Sequence, residues 1–324
     1  MIFKFASNVH LFITIRGGRM AGKKKAKTEP RKIQKKRHWK RWILLAALLC
    51  AAIFFLWMHL NAVVVHVRYA DVYLEDLPEA FEGVTILFAS DIDLCGLNTA
   101  SQAGKLFDEL QSLSPDILLL GGDYASNNLI EYLNGGADKQ SVRSSFFKQL
   151  SDFEAPLGKF AVSGDNDGDT ATLRLTAVSG GVQVIDGSIA SIEIDDSVLY
   201  LAGIGSETED ISLLASQFSS GDCVILLTHT PDVLTSARIV EASDGGSWAD
   251  LTLCGHTHAG QIQIFGRTLL SLTETEDRYL NGWYTDSDYT LVTSGVGCEY
   301  ANLRLGTQAE VWMITLHCKE SEEE

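Results

Sequence analysis

The chain has 324 residues, which is enough for one large domain or two small ones with a sizeable buried core. It carries 26 Lys and Arg against 42 Asp and Glu, but 14 of the basic residues and only one acid, Glu29, lie within the first 41 positions. The rest of the chain has 12 basic and 41 acidic side chains, a net charge of −29. Such a body is a poor candidate for binding nucleic acid, and an anionic membrane surface would repel it. We expect no nucleic-acid-binding surface.

The N-terminal region joins a basic stretch to a long apolar one. Residues 23–41 carry eleven Lys or Arg, and residues 42–60 have no acidic or basic side chain apart from His59. With the apolar residues that follow, this run approaches the roughly 20 residues that a spanning helix needs. The positive-inside rule then predicts a transmembrane signal-anchor helix over residues 42–62, with residues 1–41 as a disordered cytoplasmic segment and the remainder extracytoplasmic.

A cleaved signal peptide is the alternative for this region. The long apolar core and the lack of a clear small-x-small cleavage site count against it. Since the first 19 residues are atypical, Met20 is an alternative start.

Beyond a connector over residues 63–81, apolar runs repeatedly end in polar or glycine-rich turns. Predicted strands of this kind are 84–89, 116–120, 159–162 and 224–227. Continuous apolar strands indicate a sheet that is buried on both faces. Amphipathic helices are predicted over residues 99–112 and 138–153, and the alternation of strand and helix indicates an α/β fold with ligands at the carboxyl ends of the strands.

The second half of the chain is richer in short strands. These are predicted over residues 182–185, 189–194, 198–204, 251–254, 261–265, 289–294 and 310–315. We therefore expect one domain over residues 82–317, built from two sheets packed face to face with helices outside, and an acidic tail over residues 318–324. The six cysteines show no C-x-x-C spacing, so buried free thiols are expected rather than a disulfide framework.

Histidine is scarce in this domain and sits in turns suited to metal ions. Between residues 67 and 316 the only histidines are His229, His256 and His258, each just after an apolar run. In the segment Gly255-His256-Thr257-His258, two imidazoles one residue apart can reach two neighbouring ions, and glycine lets the backbone fold closely around them. Ordinary surface histidines are the alternative.

Carboxylates occupy the corresponding turns after the other apolar runs. The whole set of candidate metal ligands is Asp91, Asp93, Asp123, Asp165, His229, His256 and His258. Oxygen and imidazole ligands suit Mn, Fe, Zn or Mg, and their number suits two divalent ions that share one carboxylate. Two such ions can hold a bridging hydroxide as nucleophile and stabilise a phosphoryl oxygen.

The order of these turns resembles the calcineurin-like metallophosphoesterases. The segments 255–261, 279–284 and 293–297 are most similar to the membrane-associated YaeI/YkuE type, and the resemblance covers residues 82–316. It implies a four-layer αββα sandwich that hydrolyses phosphomonoesters or phosphodiesters. It also implies that Asp91, the residue at 93, Asp123 and His258 hold one ion. Asp123 would bridge to a second ion, held also by the residue at 165, His229 and His256.

Three positions depart from the family pattern. Asp93 replaces the usual histidine of the first motif, Asp165 replaces asparagine, and Asn166 replaces the histidine that would contact phosphate. Four ligand carboxylates would formally neutralise two divalent ions, which favours harder metals such as Mn or Mg. Asn166 can donate a hydrogen bond but cannot deliver a proton to the leaving group. We therefore expect the site to lack general-acid catalysis from this position, which contributes about 10²–10⁴-fold to the rate.

The neighbouring acid, Asp167, is expected to support Asn166 or its turn, and these two residues are the candidate catalytic ones. Residues 165–169 also resemble the start of a calcium-binding loop, but an EF-hand wants Gly at 170 and Glu at 176, where this chain has Thr170 and Thr176.

These expectations combine into one function. The chain is predicted to be a membrane-anchored, two-metal phosphoesterase that uses a metal-bridged hydroxide on phosphodiester, pyrophosphate or phosphomonoester bonds, with a substrate that is lipid- or envelope-linked. The alternative is a catalytically impaired metal-binding or interaction module that retains the fold.

Overall fold

The computed structural model describes residues 38–96, 98–206, 210–268, 277–285 and 288–319. Most of the basic segment predicted over residues 1–41 and of the acidic tail predicted over 318–324 lies outside these residues. The chain divides into one compact unit that ends at Leu49 and a second that begins at Cys50.

The first helix, α1 (His38–Val63), contains the predicted apolar run. Residues Trp39–Val63 are long and apolar enough to cross a membrane, and only a small part of them is buried by protein. At 1.5 Å per residue, 25 helical residues extend about 37 Å, against a hydrocarbon thickness of roughly 30 Å.

Two six-stranded mixed sheets organise the described part of the second unit. The first sheet has the order β1 (His66–Leu74), β14 (Glu310–Cys318), β2 (Thr85–Ala89), β3 (Ile117–Leu120), β4 (Gly158–Ala161), β5 (Gln183–Val184). The second has the order β12 (Gly282–Tyr284), β13 (Tyr289–Val292), β9 (Leu251–Cys254), β8 (Val224–Thr228), β7 (Ser197–Ile204), β6 (Ser188–Ile194).

Most of the described helices pack on the outer faces of these sheets. The remaining described α-helices are α2 (Ala100–Leu110), α3 (Leu129–Leu133), α4 (Lys139–Gln149), α5 (Thr170–Ala177), α6 (Ile211–Ala215) and α7 (Val233–Ala237). Local capping explains where several begin: Thr99 forms a capping box with Gln102 at α2, and the Asp138 and Asp169 carboxylates accept backbone N–H groups at α4 and α5.

Alternation along the strands separates the layers. In β2, Ile86 and Phe88 join the apolar core between the two sheets, whereas Leu87 and Ala89 face the helices α2, α4 and α5. A third apolar cluster lies between the second sheet and the helices α6 and α7. The predicted αββα sandwich with two mixed sheets is therefore confirmed.

The structure differs from the sequence expectation at two places. Residues 63–81, predicted as a connector, include strand β1, which pairs in parallel with β14 along its whole length. Residues 261–265, predicted as a strand of the domain, contribute only β10 (Gln263–Ile264), which forms a small hairpin with β11 (Arg267–Thr268) apart from both sheets. Strand β1 lies at the edge of its sheet, and its residues Arg68, Tyr69, Asp71 and Tyr73 are exposed. It therefore lacks the continuous apolar pattern of the central strands.

Candidate metal centre

The predicted ligand residues follow parallel strands that end at neighbouring edges of the two sheets. Asp91 and Asp93 come after β2, Asp123 after β3 and Asp165 after β4, and these three strands are mutually parallel. His229 follows β8, and the His256 and His258 turn follows the parallel neighbour β9. The carboxyl ends of both sheets therefore bring the carboxylates to the imidazoles, as expected for an open α/β sheet.

Backbone strain is concentrated in these turns. Five of the seven residues have a positive φ: Asp91 at 52°, Asp93 at 48°, Asp123 at 54°, His256 at 70° and His258 at 50°. For side chains other than glycine this left-handed conformation costs of order 1 kcal/mol or more per residue, and it tends to persist at functional sites.

Two motif glycines are required by the close approach of these turns. A β-carbon on Gly255 would collide with the Ser90 side chain and the Asp91 carboxylate, and one on Gly164 would collide with Asp123. The Gly-His and Gly-Asp patterns thus reflect the packing of one ligand turn against another.

The side chains form three overlapping groups whose ligand atoms lie within 4.8 Å of one another. The groups are Asp91, Asp93 and His258; Asp91, Asp123 and His229; and Asp165, His229 and His256. The Nε2 atom of His258 lies 3.4 Å from Asp93 Oδ2, and that of His229 lies 3.5 Å from Asp123 Oδ2. At the open side, His256 Nδ1 lies 3.6 Å from Asp165 Oδ2. All seven predicted ligand residues are thus brought together.

Hydrogen bonds to the backbone orient two members of the cluster. The Nδ1 atom of His229 lies 2.8 Å from the carbonyl oxygen of Gly121, which directs Nε2 toward Asp123. The backbone N–H of His256 donates to both oxygens of Asp91 at 3.0 Å. Such contacts fix the direction of a ligand atom before an ion binds.

One buried carboxylate of the cluster, that of Asp93, is not satisfied by hydrogen bonds within the described residues. Asp91 and Asp93 are fully buried, and within the described residues neither oxygen of Asp93 has a hydrogen-bond partner. Burial raises the pKa of Asp93 well above its ordinary value, and the charges of Asp123 and Asp91 raise it further. Burial lowers the pKa of His258 to about 4, so its imidazole is neutral and can serve as a ligand. A divalent cation fits this donor set, because a buried carboxylate needs a positive partner.

Asn166 and Asp167 both contact the Asp123 turn, but they do so differently. The backbone N–H and the side-chain amide of Asn166 donate to Asp123 Oδ1 and Oδ2, each at 2.8 Å. Asp167 is fully buried and accepts backbone N–H groups from Asp123, Tyr124 and Gly164 at 2.8–3.0 Å. The Asp167 carboxylate therefore ties the Asp123 turn to the Gly164 turn, and a catalytic part for Asn166 or Asp167 stays a prediction.

Three functional candidates were missed by the sequence reasoning. The ammonium of Lys139, at the start of α4, donates to Asn166 Oδ1 at 2.7 Å. Glu299, two residues beyond Gly297, has its pKa raised to about 7 by burial and by the charges of Asp123 and Asp91. Fully buried Arg304 donates to the carbonyl oxygens of Ser294 and Gly297. No local pattern marks Lys139 or Glu299 in the sequence, because only the fold brings them to the site.

Comparison with known proteins places this geometry in a family. The family described as calcineurin-like phosphoesterase matches residues 84–260. A protein of Aquifex aeolicus described as an uncharacterized metallophosphoesterase is 27% identical over 273 residues, which cover 81% of this chain and 95% of that protein. The uncharacterized metallophosphoesterase YkuE of Bacillus subtilis is 25% identical over 248 residues, covering 74% of this chain and 81% of YkuE.

A third relative is described as a membrane protein. A Danio rerio protein described as a transmembrane protein with metallophosphoesterase domain is 25% identical over 264 residues, covering 76% of this chain and 56% of that protein. Because the family match spans more than half of its length, the chain belongs to the calcineurin-like phosphoesterase family.

Proposed function

We propose that this protein is a membrane-anchored phosphoesterase that binds two divalent cations in the cluster described above. The observation that carries the proposal is Asp93: both of its oxygens are buried beside Asp91 and His258, and neither has a hydrogen-bond partner among the residues that the structure describes. A site that buries several carboxylates in this way is stable when cations neutralise them.

Two sets of residues would hold the cations. Asp91, Asp93 and His258 form the deeper set, and Asp165, His229 and His256 form the outer set, with Asp123 between them. Bound divalent cations would act as Lewis acids that polarise a phosphoryl oxygen and bind both the substrate and the attacking water. Because four ligands are carboxylates, we favour Mn or Mg over softer ions.

Two positive charges contact Asn166 among the described residues: Arg143 donates to its backbone carbonyl oxygen at 3.3 Å, and Lys139 contacts its side chain. The Lys139 ammonium faces the Asn166 side-chain oxygen, and that contact leaves the amide nitrogen to face Asp123. This orientation is the only one that places a donor against each acceptor. In our proposal Lys139 attracts the phosphate group and stabilises negative charge on it, while Asn166 holds Lys139 and Asp123 in place.

Asn166 also restricts the substrate class. An amide has no proton to deliver to a departing alkoxide, so esters with poor leaving groups lack one source of assistance. We therefore favour phosphodiesters and pyrophosphates whose leaving groups are stable as anions. A substrate linked to lipid or to the cell envelope is consistent with the apolar helix α1.

The membrane anchor is part of the proposal. Helix α1 has the length and composition of a membrane span, and the basic residues before it favour a cytoplasmic N-terminus. The zebrafish relative is described as a transmembrane protein. The catalytic domain would then lie on the extracytoplasmic side.

A second candidate function rests on the same residue, Asn166. Since a proton-delivering side chain is missing there, the fold could serve as a metal-binding or interaction module without turnover. Asp93 and Asp165 argue against simple decay, because both substitutions still present side-chain atoms that can bind metal.

Hydrolysis of an activated aryl phosphodiester by the full-length protein in detergent, with added Mn²⁺, separates the two functions. The enzyme proposal expects metal-dependent turnover that Asp123→Asn abolishes and that Asp196→Asn, a change in the exposed β6–β7 turn, leaves intact. Bound metal without turnover that depends on Asp123, on a broad panel of phosphate esters, would establish the non-catalytic module instead.

A further inference from the structure

Helix α3, next to the metal centre, exposes nearly all of its apolar side chains. It begins after Asn128, in the segment that follows Asp123, and none of its residues is buried. Leu129, Ile130, Tyr132 and Leu133 are 53%, 71%, 64% and 73% exposed. A soluble protein rarely leaves several large apolar side chains together in water unless they contact a partner or a membrane.

Other exposed apolar residues lie on or beside the segment 299–306, which contacts α3. The backbone N–H of Leu129 donates to the carbonyl oxygen of Tyr300 at 2.9 Å, and the Tyr132 and Tyr300 rings meet edge to face. The β10–β11 hairpin is tied to this segment by a hydrogen bond of 2.7 Å from the Gln263 N–H to the Leu305 carbonyl oxygen. At the hairpin, Phe265 is wholly exposed. We define the rim patch by its exposed members, which are Leu129, Ile130, Tyr132, Leu133, Ile264, Phe265 and Tyr300.

The last turns of α1 are attached to the same segment. The Arg304 N–H donates to the Met58 carbonyl oxygen at 3.0 Å, and His59 Nδ1 lies 2.9 Å from the Asn302 carbonyl oxygen. Met58 and Ala62 are only 5% exposed, unlike most of the helix before them. The segment 299–306 thus joins the end of the apolar helix to the rim patch.

This segment also borders the metal centre. Arg304 donates to the carbonyl oxygens of Gly295 and Gly297, and the Gly297 N–H donates to the Asp91 carbonyl oxygen at 2.6 Å. The apolar helix, the rim patch and the ligand turn of Asp91 are therefore connected over a few residues.

We propose that the rim patch rests on the lipid surface of the membrane that holds α1, so that the metal centre faces phosphate esters presented by lipids. This inference rests on the membrane anchoring in the proposed function. The net charge of −29 beyond residue 41 would oppose contact with anionic lipid, so an apolar patch and a zwitterionic surface are the compatible pair.

The test uses the full chain in phosphatidylcholine vesicles that contain spin-labelled phosphatidylcholine. In a background with Cys50→Ala and Cys318→Ser, which removes the two free thiols that are not buried, a fluorescent label is placed at Leu133→Cys or Phe265→Cys. Ile239→Cys serves as the matched control, since Ile239 is 78% exposed and lies beyond α7 at the other outer layer. We expect strong quenching at 133 and 265 and weak quenching at 239. Equal quenching at all three positions would overturn the proposal.

Flotation of the vesicles and turnover separate this proposal from the proposed function. Protein that does not float with the vesicles would refute the membrane anchor and the lipid contact together, whereas floating protein with unquenched rim labels would refute the contact alone. The triple variant Ile130→Ser, Leu133→Ser, Phe265→Ser should lower turnover of a lipid-borne phosphodiester about tenfold or more and leave that of a water-soluble aryl phosphodiester unchanged. Equal turnover of the lipid-borne ester by the variant and the native chain would also overturn it.

Discussion

Asn166 binds both carboxylate oxygens of Asp123, through its backbone N–H to Oδ1 and its side-chain amide to Oδ2, each at 2.8 Å. Burial alone would raise the pKa of Asp123, but the adjacent His229 imidazole and the Asn166 hydrogen bonds hold it well below its ordinary range. His229 and Asn166 together therefore keep the central carboxylate ionised, and the two Asn166 hydrogen bonds align it. The contacts of residue 166 with Asp123 do not require a histidine at that position.

Asn166→His tests whether proton delivery limits the enzyme. The substitution supplies a side chain that can protonate a leaving group, so turnover should rise most for esters with poor leaving groups, by up to about 10²-fold. The measurement is kcat/KM across a series of aryl and alkyl phosphodiesters. A uniform loss over the series would show instead that the site depends on the asparagine contacts to Asp123 and Lys139.

Lys139→Gln tests the proposed phosphate contact. Losing a charged donor near the phosphate should lower kcat/KM about 10- to 100-fold, corresponding to about 1.5–3 kcal/mol. Lys139→Arg should retain part of the activity, because the charge remains. Lys148→Gln is the matched control, since Lys148 is exposed in the last turn of the same helix. Equal effects of the changes at 139 and 148 would remove Lys139 from the site.

Asp167→Asn tests the supporting role of the buried carboxylate. Its two oxygens accept three backbone N–H groups, and an amide would turn its NH₂ group toward at least one of these donors. The free energy of unfolding should fall by about 1–3 kcal/mol, measured by chemical denaturation. Asp169→Asn is a close control, because asparagine caps a helix as well as aspartate does. An unchanged stability of Asp167→Asn would argue that the residue acts in chemistry rather than in support.

The carboxyl group of Asp250, which lies away from the metal centre, should make the stability of the protein depend on pH. Burial raises its pKa to about 6, against the opposing effect of the Val224 N–H, while Asp76, Glu75 and Asp288 add negative charge nearby. The folded state then binds the proton more tightly than the unfolded state, whose aspartate has a pKa near 3.9. Ionisation of this group therefore lowers stability as the pH rises from about 4 through about 6.

Asp250→Asn should remove that part of the pH dependence. As the pH rises from 4.5 to 7.5, the free energy of unfolding of the variant should increase relative to that of the native chain. The relative increase should be no more than about 3 kcal/mol. Thermal unfolding of both proteins at the two pH values gives the comparison. Parallel changes in Tm for the two proteins would mean that Asp250 is not protonated in the folded state.

Much of the site could be predicted because its residues obey local rules. Each ligand turn follows a continuous apolar strand, and the carboxyl ends of parallel strands converge. Gly255 and Gly164 mark turns that pack against another ligand turn, which is a physical constraint visible as a motif. The two-sheet core followed from the same strands.

The parts that could not be predicted depend on distant contacts. Strand β1 includes Arg68 and Asp71 at exposed positions on the edge of the sheet, so its pairing with β14 leaves little apolar pattern. Lys139 reaches Asn166 across 27 residues of chain. None of the residues of helix α3 is buried. The helix therefore lacks the periodic apolar face from which a helix is predicted in a sequence.

The metal content of the purified full-length protein tests the central claim most directly. After loading with Mn²⁺ and desalting, elemental analysis should find two ions per native chain and a clear loss in Asp93→Ala, because that substitution removes the buried carboxylate without a hydrogen-bond partner. The exposed-site control Asp196→Asn should retain both ions. A native chain that retains no divalent metal, or an Asp93→Ala variant that retains the full amount, would contradict the account.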